Sequence, residues 1–189
     1  MYEEQLSDRW LKERDGIQMD VLEAIKGRRS IRRFKDAPIP ASLLSLLENS
    51  LLEAPSAGNL QSRRFYFVFR GETGRQLARA AYHQDFIQEA PLAVVCCANL
   101  KIASQYGERG RSLYCLQDVA ASIENLMLAA YALGLGTVWV GSFDEKEVIR
   151  ILNLPDHIRP VAIVPVGYPD ENPPSPGRVG REHAIFHIR

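Results

Sequence analysis

Cysteine is scarce in this chain, and the three present (Cys96, Cys97 and Cys115) form no C-x-x-C pair. An odd count, with two adjacent thiols inside an apolar run, argues against a disulfide scaffold and for small buried hydrophobes in a reducing compartment. No apolar run approaches membrane-spanning length. Residues 1–16 are heavily charged and have no apolar h-region, so no signal peptide is expected and a cytoplasmic location is. No charge sign dominates either: 23 Lys and Arg balance 23 Asp and Glu, so no global field draws the chain to nucleic acid or membrane. The familiar catalytic signatures are missing too. There is no P-loop and no G-x-S-x-G elbow. Gly134-Leu135-Gly136 follows a helix and opens a strand, the reverse of the dinucleotide-binding order. His183 and His187 stand four apart without a Cys, Asp or Glu cluster at ligand spacing, which favours ordinary surface histidines over a metal pair. With no Ser-His-Asp or Cys-His set, no side-chain catalyst is evident, and chemistry here requires a cofactor.

At 189 residues, 46% apolar and 24% charged, the chain has the makings of one globular domain. Residues 1–17 read as a charged extension, with Leu6, Trp10 and Leu11 spaced for a loose amphipathic helix, and residues 18–189 as the domain. Met19, Val21, Leu22 and Ile25 give a helical stripe closed by Gly27 as the residue after the helix. Helical spacing returns over residues 41–52 and 73–82. Strands are expected at 65–69, 92–98, 137–140 and 161–166, and one more at 184–188. Asp144 and Glu147 make a D-x-x-E helix start, close to a capping box. Residues 118–133 predict the longest helix, apolar nearly all round, which suggests burial on most sides and cover from a second subunit. Strands and helices interleave without strict alternation, so the fold class is α+β, helices on a central sheet.

The densest chemistry lies in Arg28-Arg29-Ser30-Ile31-Arg32-Arg33, four guanidiniums and a hydroxyl within six residues. Arginine pairs phosphate bidentately and stays charged at any working pH, so the run suits a dianion, although a solvated basic face has the same composition. Ser30 also suits a helix or turn cap. Residues 55–59, Pro-Ser-Ala-Gly-Asn, are good turn chemistry in their own right.

Three segments together resemble the FMN-dependent nitroreductase family: residues 28–34; residues 54–61 (Ala-Pro-Ser-Ala-Gly-Asn-Leu-Gln); and Gln117-Asp118 with the alanine-rich helix and Gly-Leu-Gly-Thr-Val-Trp-Val-Gly at 134–141. The resemblance runs from about Asp20 to the C-terminus. It implies a central, mostly antiparallel sheet flanked by helices, and an intertwined homodimer with two sites at the subunit interface. It also implies FMN as cofactor and NADH or NADPH as reductant. Arg28, Ser30 and Arg32 then grip the FMN phosphate, and Arg29 lies against the flavin or the ribityl chain. Pro55, Ser56, Asn59 and Gln61 belong to the loop that the partner lays over the flavin. The backbone of Val140, Gly141 and Ser142 faces flavin N5, where Gly141 is otherwise just a strand-ending glycine. Arg178, with Arg181 behind it, reaches the phosphate from the C-terminal segment. Gln84 lies near the substrate face, and residues 103–111 are the expected lid. The activity implied is ping-pong reduction of nitroaromatics, quinones or similar flat small-molecule acceptors.

The chain departs from that pattern in two places: the final basic segment, with Gly177 and Gly180 where relatives often carry Lys or Arg, and one loop. Many relatives follow the asparagine with N-x-Q-P-W or a similar proline-aromatic pair; here the sequence is Asn59-Leu60-Gln61-Ser62-Arg63-Arg64. Two other readings stay open. One keeps the fold and changes the flavin chemistry, to a reductive dehalogenase or an enoyl or semialdehyde reductase. The other is a non-enzymatic nucleotide- or RNA-binding module built on the basic run, which has only Phe34 nearby for base stacking.

Overall fold

The computed structural model describes residues 19–189, so the charged extension and its expected helix lie outside the described residues. Helix α1 (Val21–Gly27) opens on Asp20, whose side chain accepts the Leu22 amide. Helix α2 (Ala41–Leu52) follows an extended, proline-marked connection. Strand β1 (Arg63–Phe69), helix α3 (Glu72–Ala80) and strand β2 (Leu92–Asn99) come next. Short helical turns fill residues 100–114 and run into the long α4 (Cys115–Ala132). Strand β3 (Gly136–Thr137), helix α5 (Glu145–Leu152) and strand β4 (Ile158–Gly167) complete the core.

The four strands form one sheet in the order β1-β2-β4-β3, and all three pairings are antiparallel. β2 is central and every one of its residues is buried, which is why it reads as an unbroken apolar run. Its alternate side chains serve two cores. Leu92, Val94, Cys96 and Ala98 pack under α2 and α4 with Val119 and Ile123. Ala93, Val95 and Cys97 pack under α3 and α5 with Leu77 and Val148. The adjacent thiols therefore point to opposite faces of the sheet. Burial pushes Cys97 up to about 12 and raises Cys96 well above the ordinary thiol value, the neighbouring Cys97 adding to the second shift.

α4 ends in a Schellman motif. Leu135 donates to the Ala130 carbonyl at 2.8 Å and Gly134 to Tyr131 at 3.0 Å, with Gly134 at φ +75°. The expected Asp144 cap forms, its carboxylate accepting the amides of Lys146 and Glu147.

Four expectations need correction. The strand expected at 137–140 pairs only through Gly136–Thr137; it then leaves the ladder and touches β4 again at a single bridge, Val140 to Ile163. The strand expected at 184–188 is not there: Arg181–Ala184 makes one helical turn, and the residues after it are exposed and irregular. Gly27 is the last residue of α1, and close approach explains it: a Cβ there would stand 2.4 Å from the Tyr131 hydroxyl. Finally, the chain's own sheet and α2 bury most of the apolar surface of α4, leaving only Gln117 and Glu124 exposed, so its composition does not by itself require a second subunit. The uncovered apolar face belongs instead to α1, where Val21 is 60% and Leu22 70% exposed.

Candidate functional site

The basic run leaves α1 and lies along the free edge of β3. Ser30 forms a parallel bridge with Thr137, and Ile31 donates its amide to the Thr137 carbonyl at 2.9 Å. Ser30 is thus an extended, edge-pairing residue, and the cap of α1 is Asp20. Buried Ile31 anchors the segment while Arg32 and Arg33 face outward. Phe34 bridges Pro169 and fixes the far end.

Beside this run is a cavity of about 100 Å³, lined by Gly27, Arg28, Arg29, Tyr131, Thr137 and Glu171 among others. The half-buried Arg28 has Glu124 at 3.9 Å, too long for a hydrogen bond, and its guanidinium has no hydrogen-bond acceptor among the described residues. Arg29 turns one Nη back onto the carbonyls of Lys26, Gly27 and Arg28 at 2.8–3.0 Å, capping the C-terminal end of α1 while lining the same cavity. The Glu171 carboxylate accepts the backbone amides of both Arg32 and Arg33. With those amides occupied, a ligand at this edge meets guanidiniums and hydroxyls, a donor set that fits a phosphate.

The same edge carries residues 140–142. Val140 is buried and bridged to Ile163, while Gly141 and Ser142 are exposed. Gln84 donates from Nε2 to the Ser142 carbonyl at 3.0 Å and to Ala81 at 2.9 Å. Two residues on, Phe86 lies under the Arg32 guanidinium, 6.0 Å from ring centroid to Cζ. The turn just before Gln84 is strained, Tyr82 and His83 both having positive φ. Ser30 is thus linked toward residues 140–142 through Thr137 and Arg32 through the Phe86–Gln84 turn, whereas Arg28 lies with Arg29 at the cavity, which neither Ser30 nor Arg32 lines.

The loop of Pro55, Ser56, Asn59 and Gln61 is built elsewhere. It is a tight 3-10 turn, Ala57–Asn59, with positive φ at Gly58, Asn59 and Gln61. The Ser56 hydroxyl accepts the Gln61 amide at 3.0 Å, and the Asn59 side chain accepts Gln61 Nε2 at 3.3 Å. The expected lid packs on it, close enough that a Cβ on Gly58 would meet the Tyr106 hydroxyl at 2.0 Å. The loop is tied to Asp118 at the start of α4, whereas the basic run meets that helix further along, Arg28 lying near Glu124 and sharing a cavity with Tyr131. Six to thirteen residues of helix separate the two, about 9–20 Å at 1.5 Å per residue. Among the described residues no hydrogen bond or ion pair joins the loop to the basic run. Nor does the C-terminal segment join them: Arg178 folds onto the Gly177 carbonyl, and Arg181 lies exposed in the last helical turn.

The Nitroreductase family model matches residues 25–83 and 72–168, which span the basic run, the loop, α4 and the sheet. The chain belongs to the nitroreductase family. A NADH dehydrogenase of Thermus thermophilus is 32% identical over 181 residues, covering 81% of this chain and 88% of that protein. Nitroreductase A from Vibrio parahaemolyticus superimposes with a TM-score of 0.84 at 26% identity, over 91% of this chain and 77% of that one. NADPH:FMN oxidoreductase from Vibrio harveyi, solved with NAD+, gives 0.83 at 25% identity, over 89% and 77%.

Sequence reasoning missed several residues that shape this nitroreductase edge. Thr137, Tyr131 and Glu171 line the cavity, yet none stands out in the sequence, because each is placed by tertiary contact. Arg63 and Asp118 were visible only as a departure from the loop pattern and as part of a motif. Both are buried beneath the loop.

Proposed function

We propose that this chain, an FMN-dependent NAD(P)H oxidoreductase by family, reduces nitroaromatics, quinones or similar flat acceptors in a ping-pong cycle, as a homodimer. The observation that supports this best is the Ser30–Thr137 bridge, which lays the arginine run along the strand that leads into residues 140–142. FMN, when bound, accepts hydride from the nicotinamide and passes reducing equivalents to the acceptor. The protein's part is to hold and orient. Arg28, Ser30 and Arg32 offer the phosphate charge-assisted hydrogen bonds, each worth about 1.5–3 kcal/mol. Arg29 adds charge at the same cavity, and Arg178 and Arg181 supply further cations once the C-terminal segment is ordered against a partner. Residues 140–142, steadied by Gln84, present backbone donors to the ring without a titrating side chain. Reductant and acceptor then use one open face in turn, which is what makes the kinetics ping-pong.

The separation of the loop from the basic run along α4 supports the homodimer. A second copy related by a two-fold axis would bring the loop of one chain over the basic run of the other. The exposed face of α1 and the exposed Ile185, Phe186 and Ile188 supply apolar surface for it. Light scattering on the purified chain, combined with reduction of its visible absorbance by NADH or NADPH and reoxidation by menadione or a nitroaromatic, tests the whole reading. The expected result is a yellow dimer with parallel-line kinetics. A colourless monomer that takes up no added FMN overturns it.

A further inference from the structure

Beneath the loop of residues 55–61 lie two opposite charges. Asp118 is only 4% exposed; its carboxylate accepts the Ala57 amide at 2.9 Å and the Ser62 hydroxyl at 2.7 Å. Arg63 is also 4% exposed; it donates to the Pro55 carbonyl at 3.3 Å and, across the end of α2, to Leu52 at 2.6 Å. One short stretch of backbone is thus gripped on its donor side by an anion and on its acceptor side by a cation. The Arg63 Nε is buried with no acceptor among the described residues. Burial lowers the Arg63 pKa, and the carboxylates of Asp118 and Glu53 pull the other way.

Such an arrangement is expensive. A guanidinium taken out of water and left one hydrogen bond short costs several kcal/mol, and a well-packed apolar side chain of similar volume is often neutral or stabilising in its place. The charge does what an apolar group could not: it orients the Pro55 carbonyl while Asp118 orients the next amide but one. Three turn residues, Gly58, Asn59 and Gln61, are then held at positive φ, which costs energy at the two that carry side chains.

We propose that Arg63 and Asp118 are positioning residues that preset the 55–61 loop in the conformation that closes over the cofactor. They are this chain's replacement for the proline-aromatic pair that it lacks. The inference rests on the functional reading above for what the loop covers, but not for how it is held. Ser62 belongs to the same device: its hydroxyl occupies the second Asp118 oxygen, which keeps the first aimed at Ala57. Pre-ordering the loop lowers the conformational cost of binding, so the benefit appears as affinity.

The test compares R63M, D118N and the double variant with the wild-type chain. Three quantities are measured: amide hydrogen exchange without flavin, thermal midpoint, and FMN affinity by fluorescence quenching. D118N keeps the shape and one acceptor oxygen, so folding is retained. In both single variants, exchange at Ala57 and Gln61 should rise at least about tenfold while the interior of α4 keeps its protection. FMN affinity should fall about tenfold, the effect of one lost charge-assisted hydrogen bond. R63M should hold or raise the thermal midpoint despite that loss, and R63K should recover part of the affinity. The double variant should bind no worse than the weaker single one, because both charges act on the same backbone. Unchanged loop exchange in both single variants overturns the proposal, as does affinity that falls only in step with thermal stability. A wild-type chain that takes no FMN overturns the functional reading and the loop's assigned role, and the exchange arm, run without flavin, still decides whether the two charges hold the loop.

Discussion

The Gln84 side-chain amide reaches the Ser142 carbonyl at 3.0 Å, fifty-eight residues away in sequence, and joins the turn after α3 to the segment after β3. The same nitrogen holds Ala81, so the turn and the segment share one donor group. Removing it frees both carbonyls at a half-exposed site, where water can replace part of what is lost. Q84A is expected to cost about 1 kcal/mol of stability or less. It should lower kcat about three- to tenfold with little change in FMN affinity, because residues 140–142 orient the ring and do not grip the phosphate. Steady-state kinetics alongside a flavin titration checks that split.

The phosphate assignment predicts a larger effect on binding. Replacing Arg28 and Arg32 together by alanine removes two charged donors and should weaken FMN binding by at least about 100-fold. The proposed dimer should persist, since neither guanidinium anchors core packing: Arg32 is exposed, and the Glu124 contact of Arg28 is long and half-exposed. Fluorescence titration and light scattering on the same preparation read both outcomes.

Gly134 tests the end of α4 independently of any ligand. A Cβ at this position meets nothing within 4 Å, so G134A introduces backbone strain alone, at φ +75°. The cost should be about 1–2 kcal/mol. For a domain of this size that lowers the thermal midpoint by several degrees. Calorimetry gives the answer directly.

The buried thiols predict an alkaline limit to stability. Cys97 titrates near 12 in the folded chain, pushed there by burial, against about 8.5 when unfolded. The folded state therefore holds its proton where the unfolded state has lost it. The stabilisation from the neutral thiol is complete below about pH 8.5 and drains away as pH rises toward 12. Denaturant midpoints measured from pH 8 upward should fall steadily. A thiol reagent at pH 8 should label none of Cys96, Cys97 and Cys115 in the native chain and all three after unfolding, since all are buried.

How much of this was legible in the sequence depends on the scale of the feature. The buried strand β2, the cap at Asp144 and the Gly134 terminus follow from short patterns whose physics is local. The strand at 137–140 failed because Val, Trp and Val have strand propensity, while the backbone there leaves the ladder after two pairs. Propensity gave way to tertiary placement. The terminal strand failed similarly, because an apolar tail with no neighbouring strand in its own chain has nothing to pair with. Arg28, Ser30 and Arg32 stand out in the sequence through chemistry and motif together. Glu171 was not, because nothing in a proline-rich segment announces that its carboxylate will lie on the Arg32 and Arg33 amides. Arg63 was visible only as an anomaly, and its burial gives that anomaly a physical reason.

Paired calorimetric titrations with FMN and with riboflavin, which differ by the phosphate alone, test the central claim most directly. If the arginine run is a phosphate site, FMN binds once per chain and at least about 100-fold more tightly than riboflavin, the difference worth two charged hydrogen bonds. Equal affinities for the two flavins would contradict it.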